Sequence, residues 1–156
     1  MAIREIIKKG DPVLTKISHE VTSFDKKLHM LLDDMRDTLK SAPGVGLAAP
    51  QIGILRRVVV LETTDGEFIE LINPKIISSS GEAEEIEGCL SIPNVWGIVK
   101  RPDHVVVRAQ DRFGKEFEKQ GEGYNARIYC HELEHLDGVL FTEKVIRYVN
   151  PEEEKE

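Results

Sequence analysis

The chain has 156 residues, 40% of them hydrophobic and 31% charged, which is the makeup of one globular domain and excludes a fibrous or disordered polymer. No apolar run approaches the roughly 18 residues of a membrane span, and the net charge of −7 argues against a sequence-independent grip on nucleic-acid phosphates. Cys89 and Cys130 are too few for a disulfide scaffold and read as reduced thiols. The first ten residues lack the long apolar stretch and small-residue cleavage site of a secretory signal, and they are not rich in Arg and Ser like a transit peptide. The expectation is a cytoplasmic protein that stays where it is made, with a single domain over residues 1–150 and an acidic tail over 151–156.

An N-terminal segment is broken at Asp11-Pro12. Thr22 or Ser23 can then cap a helix from about Phe24 to Lys40, whose Leu28, Leu31, Leu32, Met35 and Leu39 recur at helical spacing and form one apolar stripe. The stretch SAPGVGLAAPQIG cannot continue that helix through Pro43, Gly44 and Gly46, and reads as an ordered loop or extended segment. Strands are expected at Arg57 to Leu61, Phe68 to Ile72 and Lys75 to Ile77, with a turn at Asp65-Gly66. His104 to Ala109 and Glu116 to Lys119 flank Asp111 to Gly114 as a further hairpin. A second helix is expected from about Tyr124 to Asp137, with Gly138 as its C′ residue. The tail after Pro151 is expected to fray. The resulting class is α+β, with mixed or antiparallel sheets around a central second helix and the first helix packed beside them.

That second helix carries His131-Glu132-Leu133-Glu134-His135, an HExxH sequence. At about 100° per residue, positions four apart lie about 40° apart around the helix, so two imidazoles converge on one ion and Glu132 flanks the same face without ligating it. A mononuclear hydrolytic site needs a third protein ligand and an open position for water. A metzincin extension would place His where Phe141 stands, and the only glutamates at thermolysin-like distance are those of the terminal PEEEKE. The remaining candidate is the thiolate of Cys89 in Glu87-Gly88-Cys89-Leu90-Ser91, where Gly88 gives the backbone latitude beside the sulfur. A zinc endopeptidase of the HExxH type, indifferent to Cys89, stays open as an alternative, as does a catalytically inactive use of the same residues to hold metal structurally.

Gly44-Val45-Gly46-Leu47-Ala48-Ala49-Pro50-Gln51, then Glu87 to Ser91, then His131 to His135 resemble the three motifs of the peptide deformylases, in the same order and at similar spacing. The likeness runs from Gly10-Asp11-Pro12-Val13-Leu14 to Gly138-Val139-Leu140-Phe141. It implies removal of the N-formyl group from the formyl-methionine of nascent polypeptides, with release of formate. It implies that Cys89, His131 and His135 bind one divalent metal, Fe(II) natively, with zinc, nickel or cobalt able to replace it. Metal-bound hydroxide would attack the formyl carbon, Glu132 would serve as general base and then general acid, and the Gln51 side chain and Leu90 backbone N–H would stabilise the developing oxyanion.

The resemblance further implies that Gly44, Val45 and Gly46 offer an edge against which the substrate backbone lies as an added strand. Tyr124 and Ile128 share the face of His131 and wall a pocket for methionine, or else they are ordinary core residues. Implied partners are N-formyl-methionyl nascent peptides, with a transient ribosome contact left open and neither sequence-specific nucleic-acid binding nor a membrane expected. Two residues depart from the pattern. Cys130 stands where the family commonly has Gln, about 100° around the helix from His131, and is not expected to be a ligand. Glu134 replaces the usual Asp, one methylene longer, with a contact that orients the site expected to shift.

Overall fold

The computed structural model describes residues 2–150. The first helix, α1 (Lys26–Lys40), starts after Asp25, whose extended backbone lets its carboxylate accept the N–H of Leu28 at 3.1 Å. The cap is therefore Asp25 rather than Thr22 or Ser23, and Phe24 stays outside the helix, packed against its flank. The apolar stripe of α1 is buried throughout.

A five-stranded antiparallel sheet has the order β1 (Gly46–Ala48), β2 (Val58–Glu62), β3 (Phe68–Ser80), β6 (His104–Gln110), β7 (Glu116–Glu122). Strand β2 shows how the sheet is held. Val58 and Val60 pack with Leu28, Leu32 and Met35 of α1, whereas Val59 and Leu61 pack on the opposite face with Ala126, Tyr129 and Leu133. Those three belong to α2 (Tyr124–His135), so the sheet lies between the two helices. A strand buried on both faces reads as a continuous apolar run, as Val58-Val59-Val60-Leu61 does.

The segments expected as two strands, Phe68 to Ile72 and Lys75 to Ile77, are one strand with an irregularity between Ile72 and Lys75. Asn73 sits there at φ 51°, accepting the Val21 N–H at 2.8 Å and donating to the Val21 carbonyl at 2.9 Å. Its side chain does the pairing that the ladder loses, so the strand continues past the bulge. The segment 42–53 holds the short edge strand β1 followed by a 3₁₀ turn, Ala49–Ile52.

A second, three-stranded antiparallel sheet has the order β4 (Ala83–Cys89), β5 (Ile92–Arg101), β8 (Val145–Tyr148), and none of these strands is among those expected from the sequence. Its acidic outward residues, Pro93 and the four-residue length of β8 conceal it. Leu14, Ile92, Val99, Leu140 and Phe141 form a separate core beneath it.

Helix α2 runs through the middle and is buried around most of its circumference. Its regular span ends at His135, two residues before the expected Asp137. Gly138 at φ 74° then closes it: the Gly138 N–H donates to the His135 carbonyl and the Val139 N–H to that of Glu134. That is the paired bonding of a Schellman cap, with Gly138 in the C′ role. A Cβ at Gly138 would stand 2.5 Å from the Thr15 carbonyl oxygen, so the cap also seats the N-terminal segment. The glutamates of 151–156, and the expected fraying there, lie outside the described residues.

Candidate metal centre

The buried helix and the end of β4 bring three donors together. Cys89, His131 and His135 each offer one ligand atom, and these atoms lie within 4.8 Å of one another. Cys89 Sγ and His135 Nε2 are 3.5 Å apart. An ion bonded tetrahedrally at about 2.3 Å to sulfur and about 2.0–2.1 Å to nitrogen holds such atoms roughly 3.5 Å apart, so the spacing fits one.

The histidines are not free to choose their faces. His131 Nδ1 lies 2.9 Å from Glu87 Oε1, which leaves Nε2 for the shared centre. Glu87 also accepts two hydrogen bonds from Arg101, at 2.8 and 2.9 Å, and one from Arg127 at 2.5 Å. Burial works against a charge on Glu87, but Arg101 and His131 overcome it and hold the carboxyl well below the usual carboxylate range. Burial likewise opposes a charge on His131, yet Glu132, Cys89 and Glu87 raise its pKa well above the ordinary value. His135 is shifted the other way, by burial and by the positive potential of His131 and Arg101. Anionic groups thus crowd the place where the three donors meet, which suits a cation there.

Glu132 is buried, and its Oε1 has no hydrogen-bond partner among the described residues. Burial pushes its pKa up to about 7, helped by Glu87 and opposed by His131 and Arg101. Its other oxygen packs on β1: a Cβ at Gly46 would come 2.5 Å from Glu132 Oε2, so only glycine leaves the carboxylate its place. At Gly44 an added Cβ would press on the Leu90 side chain at 3.0 Å.

Gln51, in the 3₁₀ turn, is fixed at both ends of its amide. Oε1 accepts the Ala48 N–H at 2.9 Å, while Nε2 donates to Ser91 Oγ at 3.1 Å and to Cys89 Sγ at 3.6 Å. A cleft of about 500 Å³ opens over this group, lined among others by Gly44, Val45, Leu90, Trp96, Tyr124 and Ile128. Ile128 is buried, whereas Tyr124 is about half exposed and stands at the rim. A more open depression of about 700 Å³, between Asp33 and Arg36 of α1 and the β6–β7 hairpin, holds none of these groups.

The family model for polypeptide deformylase matches residues 3–151. The chain belongs to the peptide deformylase family. It is 56% identical over 153 residues to the peptide deformylase of Caldicellulosiruptor bescii, covering 98% of this chain and 92% of that protein. To peptide deformylase 1 of Bacillus subtilis it is 51% identical, covering 98% and 96%. Among solved structures, that of the Thermotoga maritima peptide deformylase superposes with a TM-score of 0.91 at 36% identity, covering 94% of this chain and all of that one. The Legionella pneumophila peptide deformylase gives 0.89 at 46%, covering 92% and 86%. The chain is accordingly a hydrolase that removes the N-formyl group from nascent peptides, in a family that depends on metal.

Gly44, Val45, Gly46, Gln51, Cys89, Leu90, Tyr124, Ile128, His131 and Glu132 all line the cleft, and His135 stands beside Cys89 and His131. The expectations gave no role to what holds them there: Glu87 and Ser91, both within the quoted motif, and Arg101 and Arg127, outside it. Arg127 carried a signal, since it precedes His131 by four positions and so shares its helix face. Arg101 had none, because it arrives from a strand that the sequence pattern does not reveal. Cys130 points elsewhere, and burial pushes its thiol up to about 11. Glu134 lies 2.7 Å from Arg101 Nη1 and 2.8 Å from Lys144 Nζ.

Proposed function

We propose that Cys89, His131 and His135 hold one divalent ion, Fe(II) by family resemblance with zinc, nickel or cobalt as substitutes, and that Glu132 carries the proton in hydrolysis of the formamide bond. When bound, the ion supplies the Lewis acidity that makes a water molecule nucleophilic near neutral pH. Glu132 accepts a proton from the attacking water and delivers it to the amine as the C–N bond breaks, leaving formate and a free methionyl amino group. Its buried carboxylate, with one oxygen free of any hydrogen bond among the described residues, is placed to take that proton and give it back.

Charge grows on the formyl oxygen as the carbon becomes tetrahedral, and donors already fixed in position lower that barrier. The Leu90 backbone N–H and the Gln51 amide take this role. Of the two hydrogen bonds that Gln51 Nε2 donates, the longer, to sulfur, is the one a formyl oxygen takes over. The substrate backbone lies along Gly44, Val45 and Gly46, for which the open edge of β1 is the support: that strand is paired on one side only. The methionine side chain points toward Ile128, with Tyr124 at the entrance. Residues 1–150 act as one catalytic domain in the cytoplasm, where a transient approach to the ribosome would bring formylated chains within reach.

The observation that carries this reading is the convergence of three ligand atoms within 4.8 Å of one another beside a buried carboxylate with an unbonded oxygen. Anaerobic purification with iron, metal analysis, and a formate-release assay on a formyl-methionyl peptide test it. One ion per chain and formate release are expected. A metal-loaded sample that releases no formate overturns the reading.

A further inference from the structure

The segment Ile6 to Lys9 belongs to no helix or strand, and the chemistry above gives it no part. It joins the two turns from which the proposed oxyanion donors come. The Ile7 N–H donates to the Gln51 carbonyl at 2.7 Å, and the Lys9 N–H donates to the Ser91 carbonyl at 2.8 Å. Gln51 lies in the 3₁₀ turn, and Ser91 directly follows Leu90 in the β4–β5 turn, 40 positions away. Two residues of chain span at most roughly 7 Å, so these bonds keep the two carbonyls at a short, fixed separation. The side chains are wedged as well. Ile6 packs on the core between α1 and the five-stranded sheet, as Leu90 does, whereas Ile7 packs on the core beneath the second sheet, as Cys89 does. Both stretches thus straddle one seam. Ile7 also backs the 3₁₀ turn: a Cβ on Gly53, which closes that turn at φ 85°, would stand 3.2 Å from Ile7 Cδ1. Upstream, Arg4 ties the segment to α1, donating to Asp34 at 2.7 and 3.0 Å, while the Arg4 N–H donates to Thr38 Oγ1 at 2.9 Å. Downstream, buried Leu14 anchors it in the second core.

The bonds of Ile7 and Lys9 act on carbonyls and not on substrate, so what they control is distance. Ile6 and Lys8 border the cleft; Ile7 and Lys9 do not. An oxyanion site works when its donors already stand where the charge will form, and here the two donors come from separate turns. A second link between those turns is the Gln51 side chain, whose Nε2 bonds to Ser91 Oγ and Cys89 Sγ. The bond to sulfur is the one given up to the formyl oxygen, which leaves the Ser91 bond and the backbone bonds of Ile7 and Lys9 to keep the turns in register as the reaction proceeds. We propose that Ile6 to Lys9 is a positioning strap that sets the spacing between Gln51 Nε2 and the Leu90 N–H. This rests on the oxyanion role proposed above for those two groups. The effect falls on the chemical step: spacing matched to the transition state raises kcat, whereas KM, which reports ground-state binding, stays in place.

Lys9→Pro tests this on the metal-loaded protein, because it removes the N–H while the side chain lost is an exposed one. It should lower kcat for a formyl-Met-Ala-Ser peptide about tenfold, with KM within about twofold and one ion still bound per chain, and Lys9→Ala, which restores the N–H, should recover kcat. In a Gln51→Ala background the cost of Lys9→Pro should shrink to about threefold or less, since one of the two donors it positions is gone. Hydrogen exchange read by mass spectrometry gives a measure independent of turnover: segments 47–53 and 88–92 should exchange faster in Lys9→Pro than in Lys9→Ala. Ile7→Ala, which keeps both bonds and removes the packing on Gly53, should lower kcat in the same direction, and it decides the matter by the same measures if the proline variant does not fold. An equal loss in both backgrounds, a loss that follows the metal content, or unchanged exchange in both segments overturns the inference. If even the wild type releases no formate, the functional reading fails, and the exchange experiment still decides whether the strap orders the two turns.

Discussion

Glu87→Gln is the sharpest test of what holds the site together. The carboxylate receives two hydrogen bonds from Arg101 and one from Arg127 and faces His131 Nδ1, with the side chains of Glu87, Arg101 and Arg127 exposed by 5%, 3% and 4%. Glutamine keeps the shape, but it removes the charge and turns one acceptor into a donor aimed at a guanidinium. Breaking a buried pair from one side costs about 3–5 kcal/mol. Glu134 still lies 2.7 Å from Arg101, so the low end, about 3 kcal/mol, applies here. For a chain of this size that is a fall in Tm of about 6–12 °C. Circular dichroism melts at pH 7, with and without metal, measure it.

The double variant Glu87→Gln/Arg101→Gln should lose less than the sum of the singles, since removing the guanidinium removes the uncompensated charge. The pH dependence has a definite sign. Glu87 is held below the usual carboxylate range, so its contribution is complete above the unfolded value of about 4.3 and is lost only as pH falls through the folded value. The gap between wild type and variant should be flat from pH 8 to about 5 and close in stronger acid. A Tm within 2 °C of wild type at pH 7 would refute the claim that these charges are coupled.

Three further outcomes are expected. Cys89→Ser should lose stoichiometric metal by elemental analysis and release no formate, where an endopeptidase indifferent to that sulfur would keep both. Glu132→Gln should retain metal but slow deformylation by about 10²–10⁴; without metal it should be more stable than wild type at pH 8, because it removes a buried carboxylate whose pKa is raised to about 7, and that advantage should shrink as pH falls below 7 and the wild-type group protonates. Cys130, buried with a thiol pushed up to about 11, should resist alkylation at pH 8 in the folded chain and react on unfolding in urea, as followed by mass spectrometry; fast labelling of the native protein would contradict its placement.

The parts legible in the sequence are those written locally. Helix α1 declares itself through its leucine stripe, β2 through four consecutive apolar residues, and the proposed ligand pair through a spacing of four on one helix. The proposed third ligand is legible only because Gly88-Cys89 sits within a recognisable motif. What stayed hidden depends on distant partners. Strands β4 and β5 place Glu84, Glu85 and Lys100 outward and bury Glu87 and Arg101, so ordinary apolar alternation is replaced by buried charge. No periodicity reports that Arg101 and Arg127, 26 positions apart in sequence, converge on one carboxylate.

Glu134 takes on a meaning in that light. In the resembling family the position commonly holds Asp, and the extra methylene matters because of where the partners come from. Arg101 arrives from β5, and Lys144 lies between the 3₁₀ turn Phe141–Glu143 and β8. With both at salt-bridge distance, Glu134 ties the last turn of α2 to two parts of the chain that build the second sheet. His135 is the next residue, and the Schellman bond from Val139 ends on the Glu134 carbonyl. The position of one proposed ligand is thereby governed from both sides of residue 134, by its side chain and by its backbone. Arg101, shared between Glu87 and Glu134, connects this anchor to the carboxylate that orients His131. A substitution at 134 should therefore act on metal retention by way of ligand geometry, rather than on the charge that the substrate meets in the cleft.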